Sequence, residues 1–231
     1  MMKKFSSAIT PITTDWVVAF DLDDTLYKEA DFVASGFAAV ADRLRSAGRD
    51  SLLPDLQQFS AQKVSDVFGA LIAKHGLADE ITKEELLEAY RFHPPQVALA
   101  HGAAEALLEL RRRGSALCVI SDGRSRTQRN KLRALGVEDY FDPIIISEEI
   151  GTEKPAEANF RAVMTQHPDK RCVYVADNTA KDFITPRRLG WTTICLRDDG
   201  RNIHPQRFDL SPEYLPEYLI ESLDELIAEK G

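Results

Sequence analysis

Five apolar runs rich in β-formers punctuate the chain: WVVAF at 16–20, ALCVI at 116–120, IIIS at 144–147, CVYVA at 172–176 and TTICL at 192–196. Around and between the later runs lie segments of helical character, AAEALLELRRR before Gly114, RTQRNKLRAL before Gly136, AEANFRAVMTQ, and TAKDFITPRRL before Gly190. Strands that alternate with helices in this way build a parallel sheet. Their apolarity is continuous rather than every second residue, so both faces of the sheet are expected to be covered. The fold class is therefore α/β, with helical layers on a central parallel sheet.

Nearly a hundred residues separate the first run from the second, far more than one crossover helix needs. The interval is helical: ADFVASGFAAVADRLRSAG, then PDLQQFSAQKVSDVFGALIAKHG, then ITKEELLEAYRFH, with Thr82 and Glu85 at capping-box spacing and His93-Pro94-Pro95 ending the last helix. Residues 28–96 are thus expected to form a small helical cap inserted into a core made of 1–27 and 97–231. The tail suggests an extended piece at Tyr218 to Ile220 and a closing helix from Glu221, after a stretch made irregular by Pro212 and Pro216. The first fifteen residues read as a poorly fixed arm.

A chain of 231 residues with 44% hydrophobic and 29% charged residues can bury a sizeable core and is too apolar for disorder. A net charge of -8 argues against broad binding to nucleic acid or to an anionic membrane, and leaves phosphorylated small molecules as partners. No secretory signal pattern or run of transmembrane length is present, so a cytoplasmic location is the default expectation, as a monomer or homodimer. Cys118, Cys172 and Cys195 lack metal-ligand spacing and read as reduced core residues; Trp16 and Trp191, flanking strands, read as core. His75, His93 and His101 also lack ligand spacing and read as turn or surface residues.

In an open parallel sheet, ligands bind at the carboxyl ends of the strands. Asp21 follows WVVAF, Ser121 and Asp122 follow ALCVI, and Asp177 follows CVYVA, so three strands deliver polar residues to one edge. Asp21, Asp23 and Asp24 crowd into four residues, which is costly unless something cationic lies among them. Such a set suits attack by a carboxylate on a phosphoryl group. Asp21 would be the nucleophile and Asp23 the general acid and base. Mg²⁺, with Asp21 and Asp177 as carboxylate ligands, would let two anions meet. The Ser121 hydroxyl, nearby backbone N–H groups and Lys154 would hold the phosphoryl oxygens.

DLDDTL at 21–26, ISDG at 120–123, SEEIGTEKP at 147–155 and ADNTAKDF at 176–183 resemble, in order, the four motifs of the haloacid dehalogenase superfamily. YFDPIIISEEIGTEKPAEANF at 140–160 is similar to the same stretch in its helical-capped phosphatases. The resemblance implies a Rossmann-like three-layer core, an α-helical cap after the first motif, and Mg²⁺-dependent phosphohydrolase activity through an aspartyl-phosphate. It implies Asp21 as nucleophile, Asp23 as acid/base with its backbone carbonyl on the metal, and Ser121, Asp122, Gly123 and Lys154 around the phosphate. Asp177 would bind metal, and Thr25, Asn178 and Asp182 would support the site. Two positions depart from the pattern. Ala176 stands where glycine is common, and Asp122 replaces the more usual asparagine, adding a carboxylate beside the phosphate.

The substrate expected is a small phosphorylated metabolite, a sugar phosphate or a nucleotide monophosphate, cleaved by hydrolysis. A phosphomutase of the same family uses the same aspartyl-phosphate, and a phospho-accepting or ligand-binding module would use similar residues without turnover. The acid at Asp23 favours turnover and counts against carbon–halogen cleavage.

Overall fold

The computed structural model describes residues 3–4, 12–46 and 48–228. Seven strands form one parallel sheet: β1 (Lys3–Lys4), β2 (Trp16–Phe20), β3 (Ala116–Ser121), β4 (Ile144–Ile146), β5 (Arg171–Ala176), β6 (Thr192–Leu196) and β7 (Tyr218–Ile220). Their spatial order is β1-β7-β6-β5-β2-β3-β4. The expected α/β class is thus the one observed. Every residue of β2 is buried, as continuous apolarity requires of a strand covered on both faces. Phe20 is in register with Val175 on one side and with Val119 on the other. Asp21, Ser121 and Asp177, one or two residues further along each strand, consequently leave the sheet at the same edge.

The strand order also explains why the site belongs at that edge. From β2 the chain moves outward through β3 and β4, then returns to place β5 on the opposite side of β2. Connections diverge there, and a crevice opens at the carboxyl ends of β2 and β5.

The core helices are α5 (Ala103–Arg112), α6 (Ser125–Ala134), α7 (Ser147–Ile150), α8 (Glu157–Gln166) and α9 (Ile184–Arg188). α9 is shorter than TAKDFITPRRL suggests. The Asn178 amide donates to Asp182 Oδ2 and the Ala180 amide to Asn178 Oδ1, so local side-chain bonds take the place of the first helical turns. The tail differs as well: Tyr218–Ile220 is a strand as expected, but only a 3-10 turn at Leu223–Leu226, closed by a Ser222–Glu225 capping box, follows it. Nor are residues 12–15 a loose arm. Ile12 is buried, the Trp16 amide and the Ser115 hydroxyl donate to the Thr13 carbonyl, and Lys3–Lys4 pairs with β7. The rest of that arm lies outside the described residues.

The chain divides into two compact units, Met1–Glu29 with Ala98–Gly231, and Ala30–Val97. The second unit holds most of α1 (Glu29–Ser46) together with α2 (Leu53–Ala61), α3 (Val67–His75) and α4 (Lys83–Phe92). Phe37, Val40, Leu56, Leu71, Leu77 and Leu86 lie at its centre. The stretch PDLQQFSAQKVSDVFGALIAKHG forms two helices, α2 and α3. Lys63 adopts a left-handed conformation while the Val64 amide returns to the Phe59 carbonyl, and Asp66 starts α3 by accepting from the Gly69 amide. The Thr82–Glu85 capping box is fully formed. His93 is a buried residue of this unit, not a surface one, with Nδ1 against the Tyr90 carbonyl and Nε2 against the Ser35 hydroxyl.

In the first unit, Phe160 stacks edge-on against Tyr174 at 5.2 Å and Trp191 at 5.6 Å between ring centroids, and all three rings are buried. Cys118 and Cys195 belong to the same core, whereas Cys172 is half-buried; all three are free thiols. Removing the central ring leaves a cavity that two rigid aromatic neighbours cannot fill. Phe160→Ala is expected to cost about 3–5 kcal/mol in urea unfolding monitored by tryptophan fluorescence.

Candidate active site

Asp21 is fixed at the end of β2 by its amide, which donates to the Val175 carbonyl of the neighbouring strand. Its carboxylate receives the Lys154 ammonium at 2.6 Å, and the same Nζ lies 2.9 Å from Asp182 Oδ1 and donates to the Tyr174 hydroxyl at 3.0 Å. The contact with Asp182 is a close ion pair whose angle falls short of a hydrogen bond. Lys154 is 5% exposed and Asp182 wholly buried, so this pairing is made almost without water. Burial works against the ammonium, but Asp182 and Asp21 outweigh it and hold Lys154 well above the usual lysine range.

Asp21, Asp177 and Asp182 each offer a carboxylate oxygen within 4.8 Å of the others. One ammonium does not balance three buried carboxylates. Burial above all, with Asp182 adding to it and Lys154 opposing, pushes Asp21 up to about 7. Burial, then Asp182, Asp21 and Asp24, push Asp177 up to about 9. A compact, all-oxygen, anionic donor set of this kind fits a hard divalent cation such as Mg²⁺.

Asp23 stands two residues on and faces the same cleft. Burial raises its pKa, but Lys131, Tyr27 and Gln128 more than offset this and leave it below the usual range. Asp24 also lines this cleft but is bound by backbone amides. It adopts φ 54° and accepts the Glu29 amide at 2.9 Å and the Ile203 amide at 2.8 Å, which ties the first motif to the loop after β6. Thr25, within the first motif, is wholly buried, and among the described residues no hydrogen-bond partner reaches its hydroxyl.

The cleft has a volume of about 130 Å³. Asp21, Asp23, Asp122, Asp177 and Asn178 line it, together with Glu29, Lys181 and His204. Ser121 is buried beside it, its oxygen accepting from Gln128 Nε2 at 2.5 Å. Asp122 is neutralised on both oxygens, by the Lys154 amide at 2.9 Å and the Lys181 ammonium at 2.6 Å. The carboxylate at position 122 is therefore paired with a cation. Gly123 donates its amide to the Ser147 hydroxyl at 2.9 Å and is not among the residues lining the cleft.

Sequence patterning does not single out Glu29, Gln128, Lys131, Lys181 or His204. Nor does it mark Asn202, whose amide donates to Asp177 Oδ2 at 2.8 Å while its carbonyl oxygen accepts from Lys28 at 2.7 Å. A lysine one residue before Asp182 is the one available signal among them, because it shares a short turn with two site residues.

The sequence profile described as haloacid dehalogenase-like hydrolase matches residues 18–196. The chain belongs to that family. It is 29% identical over 224 residues to the glyceraldehyde 3-phosphate phosphatase of Methanocaldococcus jannaschii, covering 91% of this chain and 94% of the relative. It is 28% identical to a pyrimidine 5'-nucleotidase of Escherichia coli, covering 92% and 96%. In structure it superposes with TM-score 0.66 and 23% identity on the protein named HAD-hydrolase YfnB of Bacillus subtilis, bound to magnesium, over 91% of this chain and 96% of that one. This last likeness bears on the fold. Among the described residues, no helix is long and apolar enough to cross a membrane.

Asp21, Asp177 and Glu29, the last pushed up to about 7 by burial and Asp23, all hold their protons more tightly folded than unfolded. The native state thus binds more protons than the unfolded one across this range, and stability falls as pH rises. Carboxyls with lowered values, such as Asp23, are already ionised in both states above pH about 5 and add no slope there. In chelator-containing buffer, the urea midpoint is expected to decline steadily from pH 5 to 9.

Proposed function

We propose that this phosphatase of the haloacid dehalogenase-like family is a Mg²⁺-dependent phosphohydrolase that cleaves a small phosphorylated metabolite through an aspartyl-phosphate at Asp21. The observation that carries the reading is the Asp21 carboxylate, fixed at the crevice of the sheet by Lys154 and grouped with Asp177 and Asp182. Relatives that act on a triose phosphate and on nucleotides support a sugar phosphate or nucleotide monophosphate as substrate. The helical insertion after the first motif serves as the substrate-selecting cap.

Asp21, Asp177, Asp182 and the Asp23 carbonyl would hold Mg²⁺, which supplies charge neutralisation where a carboxylate meets a phosphate dianion. The rest is done by side chains. Asp21 Oδ attacks phosphorus as the phosphorus–oxygen ester bond breaks; Asp23, ionised in the free chain, takes up a proton as the phosphate dianion binds and gives it to the leaving alkoxide. Asp23, now ionised, removes a proton from the water that attacks the aspartyl-phosphate, releasing inorganic phosphate and restoring Asp21. Ser121 donates its hydroxyl proton to a phosphoryl oxygen, and Lys154, with Lys181 at the cleft wall, balances the charge that the phosphate brings. Asn178 closes the Asp182 turn, and Thr25 packs beneath the nucleophile's loop.

Phosphate release from a panel of sugar phosphates and nucleotide monophosphates, with Mg²⁺ and with chelator, tests the reading. Turnover should require the metal, and Asp21→Asn should keep its fold by circular dichroism while losing about a thousandfold or more of kcat. Isomerised sugar phosphate in place of inorganic phosphate would identify a mutase, and single-turnover labelling a phospho-acceptor. Mg²⁺ should also raise the melting temperature of the wild-type chain, and by less in Asp177→Asn.

A further inference from the structure

Helix α6 is among the most polar segments of the chain, yet Gln128 is 2% exposed and Lys131 4% exposed. Three residues apart, they share one face of the helix. That face meets Asp23. Lys131 Nζ donates to Asp23 Oδ1 at 2.7 Å, Gln128 Nε2 donates to Oδ2 at 2.9 Å, and the Tyr27 hydroxyl also donates to Oδ1. Lys131 is held against the Tyr27 ring as well, 5.7 Å from its centroid.

Burying an ammonium costs several kcal/mol unless a partner returns it, so apolar residues would pack this helix against the core at lower cost. What lysine and glutamine provide is direction. Asp23 lines the cleft with its side chain 21% exposed, whereas Gln128 and Lys131 are absent from the cleft wall. The donors therefore grip the carboxylate from the protein side and leave it facing the cleft. Gln128 does more: its amide also donates to the Ser121 hydroxyl oxygen, which fills an acceptor position and leaves the serine proton free to donate elsewhere.

We propose that Gln128 and Lys131 are positioning residues for the proton transfer, fixing Asp23 where it meets the leaving-group oxygen and coupling that placement to Ser121. This rests on the phosphohydrolase reading. In the first half-reaction the ester bond breaks with its electron pair on the departing oxygen, and Asp23 gives that oxygen the proton it took up as the phosphate dianion bound. An alkyl leaving group needs the proton; p-nitrophenolate departs without it. Misplacing Asp23 must then penalise alkyl esters selectively in kcat/KM, which reports on transfer to Asp21 alone.

The test compares kcat/KM for glycerol 3-phosphate or a better alkyl substrate from the panel with that for p-nitrophenyl phosphate, in Gln128→Met, Lys131→Met, and each combined with Asp23→Asn. The alkyl-to-aryl ratio should fall about tenfold or more in each single variant, and should not fall further once Asp23 is already replaced. An equal loss on both substrates, or an additional fall in the Asp23→Asn background, overturns the positioning role and assigns the pair to structure. Should Lys131→Met fail to fold by circular dichroism, Gln128→Met decides alone. A wild-type chain that releases no phosphate from any substrate removes the phosphatase reading, and this inference with it; normal wild-type turnover with unchanged ratios removes this inference only.

Discussion

The Lys154 ammonium, buried between Asp21 and Asp182, is the contact on which the site's arrangement depends. Its position is set by the backbone: the Lys154 amide is tied to Asp122, at the end of β3, and its side chain crosses to the end of β2. Two strand ends and the loop after β4 are thereby locked together by one residue. In a medium that excludes water, truncating one member of such a set leaves the others uncompensated. The lysine is thus a fold constraint as well as a phosphate ligand in the proposed chemistry. It also satisfies only part of the local charge, since among the described residues no ammonium lies within hydrogen-bonding distance of Asp177.

The strands were legible because a doubly covered parallel strand has no polar alternative; each position of WVVAF must be apolar. The acids at the strand ends were legible for the complementary reason. A run of buried residues that stops at a carboxylate on several strands, at a common edge, has little structural purpose. What remained hidden lies on helices and in loops. In SRTQRNKLRA the charges outnumber the apolar residues, and the pattern reads as a solvated face; nothing in it distinguishes Lys131, which is buried, from Arg133, which is exposed. Burial there is decided by a long-range partner, Asp23, 108 residues away in the chain. The same applies in part to His93, which meets the Tyr90 carbonyl three residues before it and also the Ser35 hydroxyl, 58 residues away in the chain.

Asp122 shows how a departure from a motif becomes intelligible once its partner is known. By sequence it adds negative charge next to a phosphate. In the structure its two oxygens are occupied by a backbone amide and by Lys181, so the carboxylate is paired with a cation on the adjacent loop. Burial and Lys154 disfavour the charge on Lys181, but Asp21, Asp182 and Asp122 outweigh them and raise its pKa. The two side chains form a neutral pair that holds an ammonium at the cleft wall.

The loop after β6 carries this logic outward. Asp198 Oδ1 accepts the amides of Gly200, Arg201 and Asn202, which fixes a tight turn, and Gln206 ties the loop's end to the carbonyls of Asp177 and Leu196. Held in this way, the loop reaches two acids near Asp21: Asn202 donates to Asp177, and the Ile203 amide to Asp24. One Asp177 oxygen is therefore committed to Asn202. The orientation of that carboxylate, and with it the oxygen left to face Asp21 and Asp182, depends on a segment whose sequence, RDDGRNIHPQR, reads as an ordinary polar loop. Order in this loop and the geometry of the acidic cluster are a single property, because the hydrogen bonds that make one also make the other.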